Sequence, residues 1–369
     1  MPAQNSHGAL SYDKLSDEQH AALISSTSGH YLVSGPSGSG RTSTLVTRAL
    51  ALTEAGEKLT RPRPLILVQS LLRRRLIQQL LGETVASVDV DLPGPWIRRE
   101  YQRVTGRQAA PAPEADWASL VIELLSANYP RKTSVVVDDA DQMTPELLQA
   151  LALLVESGGF YVGSDALDAE GESTLVRDIA PVEVHRFSRR FRSNETIRKV
   201  EYCWGTTDNL SGLEDCHPGR PILAQRRSPF FAARFAAKHW AEDVARQIAI
   251  VPLIPAHITP IADFLLREGF PRARLFAGDV KADGVARFDF LNGGIYVLKP
   301  LQLVGLGFDL VVVTGVDSVS GDLTSSTVQK PLRAIAAAVR NDLALTWSGD
   351  GATPPIVNAL SEDLITSAW

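Results

Sequence analysis

Short apolar runs rich in valine, isoleucine and leucine alternate with longer amphipathic stretches almost throughout the chain. The short runs are "YLVS" (31–34), "LILVQ" (65–69), "SVVVDD" (134–139), "FYVGS" (160–164) and "VEVHRF" (182–187). After a gap come "IAIVPLI" (248–254), "RLFAG" (274–278), "GIYVLK" (294–299), "DLVVVTGV" (309–316) and "LALTW" (343–347). Continuous rather than alternating hydrophobicity predicts strands buried on both faces of mainly parallel sheets. The longer stretches predict helices over 16–26, 42–55, 70–81, 145–157, 194–203, 230–247, 259–268 and 330–340. Ser16 before Asp-Glu and Thr144-Pro145 before "ELLQALALL" are helix-entry signals.

The expected class is α/β, and the two sets of strands predict two lobes, residues 1–190 and 205–369. The seam falls in 188–228, where "GTTDNLSGLEDCHPGRP" is dense in turn formers. Residues 91–117 show no clear period and read as part of a short insertion near 82–132 in the first lobe.

Composition narrows the class only a little. With 369 residues, 44% apolar and 21% charged, the chain has ordinary soluble globular character and room for two cores. No apolar run approaches the ~20 residues of a membrane span, and the first residues show no basic and apolar signal pattern. A cytoplasmic protein with no membrane partner is expected. Cys203 and Cys216 lack the spacing of a metal site. A net charge of −5 argues against a wholly basic nucleic-acid binder but leaves room for a local groove. Arginines do cluster, at 73–75, at Arg186, Arg189, Arg190 and Arg192, and at Arg226-Arg227. They read either as solvated faces or as the lining of a groove for single-stranded DNA. Trp96, Tyr101, Trp204 and Trp240 are available to stack bases, but each reads first as a packing residue.

Two motifs carry chemistry. "YLVSGPSGSGRTSTLV" (31–46) runs from a strand through a glycine-rich loop into a helix, the context of a phosphate-binding P-loop. Gly35, Gly38 and Gly40 would let backbone N–H groups curl around phosphate, and Thr42 would ligate Mg²⁺. "SVVVDDADQ" ends a strand in Asp138-Asp139, where the first acid would meet the metal and the second the attacking water. Each motif alone has a bland reading, as a flexible loop or as acids at a strand end. Two of them on strands of one α/β lobe predict a P-loop NTPase fold.

With these residues quoted, the chain resembles the UvrD/Rep/PcrA superfamily 1 helicases. "LSDEQHAAL" (15–23) stands where that family has its adenine-recognising glutamine, matched by Gln19, and "LILVQSLLRRRLIQQL" (65–80) stands at motif Ia. "VVVDDADQMTPELLQALALL" is similar to the family's acid-bearing segment, and "FYVGSDALDAEG" (160–171) occupies the place of the next motif. "FSRRFRSNETI" (187–197) matches the segment whose arginine reaches the γ-phosphate, so the resemblance assigns that role to Arg192. Further matches at 248–278, "VGLGFDLVVVTGVD" (304–317) and "AVRNDLALTW" (338–347) follow in family order. The resemblance implies two RecA-like P-loop NTPase lobes with a cleft between them, and ATP and Mg²⁺ as cofactors. It also implies single-stranded DNA, or a protein of a DNA-processing complex, as partner. Its site residues would be Asp139 and Arg192 for catalysis, with Gln19, Gly35, Gly38, Gly40, Arg41 and Thr42 for nucleotide. Thr42 and Asp138 would hold metal.

The chain departs from the pattern where chemistry is most exacting. Arg41 stands in place of the P-loop lysine, and a planar guanidinium does not substitute freely for an ammonium. Asp139 replaces a glutamate, pulling the carboxylate back by one methylene. Near the motif III glutamine stand Leu167 and Asp168, and Val304 and Gly307 replace a lysine and a glutamate. Ala338 stands at the motif VI arginine, and on the helix expected over 330–340 the nearby Arg340 would point about 200° away. An arginine finger is worth roughly 10³–10⁵ in rate. The expectation is a helicase-like fold with a degenerate ATP site, a catalytically weak or inactive ATP-binding and partner-binding module. The alternative is an active minimal single-stranded-DNA-dependent ATPase or helicase that uses Arg41 and Arg340 as substitutes. A small-molecule kinase is a more distant third, which the motifs of the second lobe speak against.

Overall fold

The computed structural model describes residues 15–25, 29–56, 63–110, 116–132, 134–155, 159–164, 182–188, 194–206, 213, 216–278, 282–319, 322–349 and 351–368. The chain divides into two compact units, Met1–Arg189 and Arg190–Trp369. Each is an α/β lobe of RecA-like type, a parallel sheet flanked by helices.

In the first unit the strands are β1 (His30–Ser34), β2 (Leu65–Leu67), β3 (Asp89–Asp91), β4 (Val135–Val137), β5 (Phe160–Ser164) and β6 (Val182–Arg186). Among the described residues they form one sheet in the order β3-β2-β4-β5-β1-β6, with every pairing parallel. The helices are α1 (Asp17–Ile24), α2 (Arg41–Gly56), α3 (Leu71–Leu81), α4 (Pro93–Thr105), α5 (Trp117–Ser126) and α6 (Pro145–Ala152).

The two-residue period of the strands sorts the core into two layers. Leu32, Leu65, Leu67, Val135, Val137, Phe160 and Val162 face one way and pack with α4, α5 and α6. Tyr31, Val33, Ile66, Val136 and Tyr161 face the other way and pack with α1, α2 and α3. Both faces are therefore covered, which is why these strands read as unbroken apolar runs.

The second unit holds α7 (Glu195–Cys203), β7 (Ile222–Arg226), α8 (Pro229–Glu242), β8 (Gln247–Pro252), α9 (Ile258–Arg267) and β9 (Leu275–Ala277). It continues with α10 (Ala282–Val285), β10 (Gly294–Val297), β11 (Phe308–Thr314), α11 (Ser326–Ala338), β12 (Val339–Trp347) and β13 (Ile365–Thr366). Its parallel sheet runs β13-β7-β12-β11-β8-β10-β9 among the described residues. Ile248, Ile250, Ile295, Val297, Leu310 and Val312 pack against α8 and α9.

Two expectations change. Residues 91–117, expected to be irregular, contain the end of β3, all of α4 and the start of α5. Trp96, Ile97 and Tyr101 of α4 are buried in the first unit's core, so this stretch is part of the lobe's own layer. The helix expected over 330–340 spans Ser326–Ala338, and Arg340 stands in β12 rather than on a helix, so the helical offset does not apply to it.

Candidate functional site

The site is built at the carboxyl ends of the first unit's parallel strands, where open α/β sheets place their ligands. β1 leaves the sheet at Ser34, and the backbone turns through Gly35–Gly40 into α2. Gly38 and Gly40 adopt φ of 84° and 86°, the left-handed region that favours glycine. Gly35 is required for a different reason: a Cβ there would lie 2.7 Å from the Phe187 carbonyl oxygen and 3.0 Å from Ser39 Oγ. Its N–H donates to Ser164 O at 3.3 Å, and Phe187 N–H donates to Ser34 O at 2.7 Å, tying the loop to the neighbouring strand ends.

α2 is 16 residues long and starts at Arg41, so its first-turn N–H groups have no carbonyl partner within the helix. Those groups and the helix dipole make the loop a cradle for anionic oxygens. Ser39 Oγ is fully buried beside it with no hydrogen-bond partner among the described residues. A buried polar atom without a protein partner fits a site that takes a polar ligand. On these observations the loop fits a nucleotide's phosphates.

Gln19 is 2% exposed and braces this loop. Its Oε1 accepts from Ser16 N–H at 3.0 Å in a capping box, and its Nε2 donates to Ser39 O at 2.9 Å. A Cβ at Gly40 would collide with that amide, which supplies a second reason for glycine there. Arg48 clamps α1 from the other side: it donates to Leu23 O, to Ser25 O at 2.7 Å, and through Nε to Tyr161 Oη at 3.2 Å.

The acids and cations meet as one cluster. Asp138 follows β4 directly and is 2% exposed. Thr42 Oγ1 lies 3.0 Å from both of its carboxylate oxygens. Arg73, from the first turn of α3, donates through Nε to Asp138 Oδ2 at 2.9 Å, holds Nη2 in ion-pair contact 2.9 Å from the same oxygen, and donates through Nη2 to Thr42 Oγ1. Asp139 has the left-handed backbone φ of 55°, costly for a non-glycine residue, and faces Arg41 Nη2 at 3.8 Å and Arg73 Nε at 4.0 Å. Two arginines and two aspartates thus meet in one cluster, with Arg41, Arg73 and Asp138 buried and Asp139 half-buried.

Thr42 and Asp138, the expected metal ligands, do come together, but a guanidinium holds both. Mg²⁺ requires a near-octahedral set of oxygens at about 2.0–2.1 Å. In this arrangement the Thr42 hydroxyl and Asp138 Oδ2 already accept from Arg73, so Mg²⁺ does not fit between them.

Arg192, Arg189, Arg190, Leu167 and Asp168 lie outside the described residues. Arg340 lies at the amino-terminal end of β12, 3.3 Å from Gln247 Oε1 and 3.7 Å from Asp309 Oδ1. The 73–75 cluster is not a solvated face: Arg73 is buried and Arg74 pairs with Asp91 at 3.1 Å. Trp96 and Tyr101 are core residues, Trp204 is buried and donates to Ile356 O at 2.9 Å, and Trp240 packs on Phe270 with ring centroids 4.9 Å apart. All four aromatics are packing residues. Among the described residues no His/Cys/Asp/Glu group could hold a metal ion, and no helix is long and apolar enough to cross a membrane.

Sequence reasoning missed the part played by Arg73. Its place gave a signal: a cation in the first turn of a helix opposes the macrodipole and needs a compensating partner. β2 and β4 are neighbours in a parallel sheet, so the turn after β2 opens beside the acids that follow β4.

Residues 13–162 match the AAA ATPase domain family, which covers less than half of the chain. No curated protein matches the sequence. Two solved structures of the DUF1998 helicase MrfA, one bound to DNA and AMPPNP and one bound to DNA, are similar at 12% identity and a TM-score of 0.49. The alignments cover 95% of this chain and 51% and 52% of theirs, so the chain spans about half their length. The C-terminal domain of a possible DNA helicase from Lactobacillus plantarum WCFS1 is similar at 15% identity and a TM-score of 0.35, over 48% of this chain and 98% of that domain.

Proposed function

We propose that this chain is a helicase-fold protein of UvrD-like type that binds a nucleoside triphosphate or diphosphate in its first lobe and turns it over weakly or not at all. The observation that carries the reading is the glycine loop 35–40 opening α2 beside Asp138, with Ser39 Oγ buried and without a hydrogen-bond partner among the described residues. The AAA ATPase domain match over residues 13–162 supports nucleotide as the ligand. In this reading the loop amides and the α2 N-terminus hold the phosphates, and Arg41 adds positive charge at their edge. Gln19 keeps the loop in shape from beneath.

Weak turnover follows from how the acids are engaged. A water-activating carboxylate must be within reach of the water and able to take its proton. Asp139 faces two guanidinium groups, Arg41 Nη2 at 3.8 Å and Arg73 Nε at 4.0 Å, so its carboxylate is engaged as an ion-pair partner rather than turned to a water. The proposed roles of the protein are then nucleotide-dependent partner binding in the cytoplasm, with single-stranded DNA or a DNA-processing protein as partner.

The test is steady-state phosphate release with saturating single-stranded DNA, using Asp138→Ala as the background control. Release within a few-fold of that control is expected. Turnover above it by more than about one per second, inside the ordinary enzyme range, would establish the active minimal ATPase instead.

A further inference from the structure

A divalent ion in a P-loop site ordinarily sits between the hydroxyl at the helix start and the acid at the end of a nearby strand. Here Arg73 Nε and Nη2 lie 2.9 Å from Asp138 Oδ2, and Nη2 also donates to Thr42 Oγ1. The side chain of Arg73 is 6% exposed and that of Asp138 is 2% exposed, so the contact is made out of water.

We propose that the Arg73 guanidinium replaces the divalent cation, so that the first lobe takes nucleotide phosphates without metal. The proposal rests on the nucleotide-binding reading and names the charge that completes that site. Three physical points support it. A buried ion pair is a poor source of stability compared with an apolar pair of the same size, so stability alone does not account for it. The cation lies in the first turn of α3, where the helix dipole disfavours it, and Ser70 caps that same turn by accepting from Arg73 N–H at 3.1 Å. Guanidinium also presents several donors in one plane and can engage a hydroxyl and a carboxylate while facing phosphate oxygens. It brings one positive charge where the metal would bring two. That deficit agrees with a site that holds phosphate and does not drive its transfer.

Two measurements on the full chain test this. In the first, ATP is titrated calorimetrically in excess EDTA and again in excess Mg²⁺. The expected dissociation constants agree within about threefold; binding about tenfold or more tighter in Mg²⁺ would overturn the proposal. In the second, Mn²⁺ is added without nucleotide and followed by electron paramagnetic resonance. The wild type should hold no Mn²⁺ at this site, whereas Arg73→Ala should gain one ion that is lost again in Arg73→Ala/Asp138→Asn. Mn²⁺ bound by the wild type and lost in Asp138→Asn would overturn the proposal, even if no nucleotide binds in either medium. Absence of nucleotide binding in both media overturns the nucleotide reading instead. Arg73→Lys, which keeps the charge, serves as the folded comparison and should retain metal-independent binding.

Discussion

Arg73 carries a charge that α3 does not need for its own stability, and Asp138 is buried beneath it. Removing one partner of such a pair leaves the other charge uncompensated in a poorly hydrated place. Arg73→Ala is expected to lower unfolding stability by about 3–5 kcal/mol, measured by urea denaturation in EDTA. Arg73→Met combined with Asp138→Leu should recover most of that loss, because neither charge is then stranded. A loss below about 1 kcal/mol for Arg73→Ala would mean that the pair is hydrated and exchangeable. At this scale the glycines, Thr42 and Asp138 were legible, because the loop pattern requires those residue types at that spacing. The partner that binds Thr42 and Asp138 was not, since it comes from a helix after another strand and only the sheet order brings it there. The Gln19 bond to Ser16 is a capping box within one helix turn, while its bond to Ser39, twenty residues away, is a tertiary fact that no local pattern carries.

At the scale of elements, the long apolar strands were readable because both of their faces are covered. β3 was not, because an edge strand reading Asp-Val-Asp offers almost no apolar signal. α4 was hidden by Pro93, Gly94 and Pro95, which look like turn residues yet are tolerated in a helix's first turn. Its Gly106 then ends it with a left-handed φ of 70°. α6 stops at Ala152, although the apolar pattern continues, and Val155 beyond it forms an isolated bridge with Lys132.

Two histidines on the strands that flank the loop give the first lobe a pH dependence. His30 begins β1 and lies edge-on to Phe160, and His185 of β6 stacks against Tyr31. Burial lowers the His30 pKa, and burial also lowers that of His185, outweighing the opposing charge of Glu183. The unfolded chain, with an ordinary histidine pKa near about 6.5, then takes up protons before the native state does. Stability should therefore be full above about pH 7 and fall as the pH drops below about 6.5 toward the lowered native values. Urea denaturation between about pH 7.5 and 5.5 measures it, and the double variant His30→Gln/His185→Gln should show a shallower slope over that window. A wild-type stability that rises on acidification would contradict the assignment.

At the scale of the whole molecule, each unit has its own parallel sheet and its own core, and the glycine loop belongs to the first. The second unit's Arg340 is spent on Asp309 and Gln247 at the amino-terminal ends of its strands, away from the edge where such sheets bind ligands. In the proposed reading, nucleotide therefore binds one lobe, at the backbone amides of one helix start. Amide hydrogen exchange on the full chain, with and without millimolar ATP in EDTA, tests this most directly. Slowed exchange is expected in peptides covering residues 35–46 and around Asp138, with the peptides of the second unit's sheet unchanged. No protection in 35–46 at saturating ATP, or protection confined to the second unit, would contradict it.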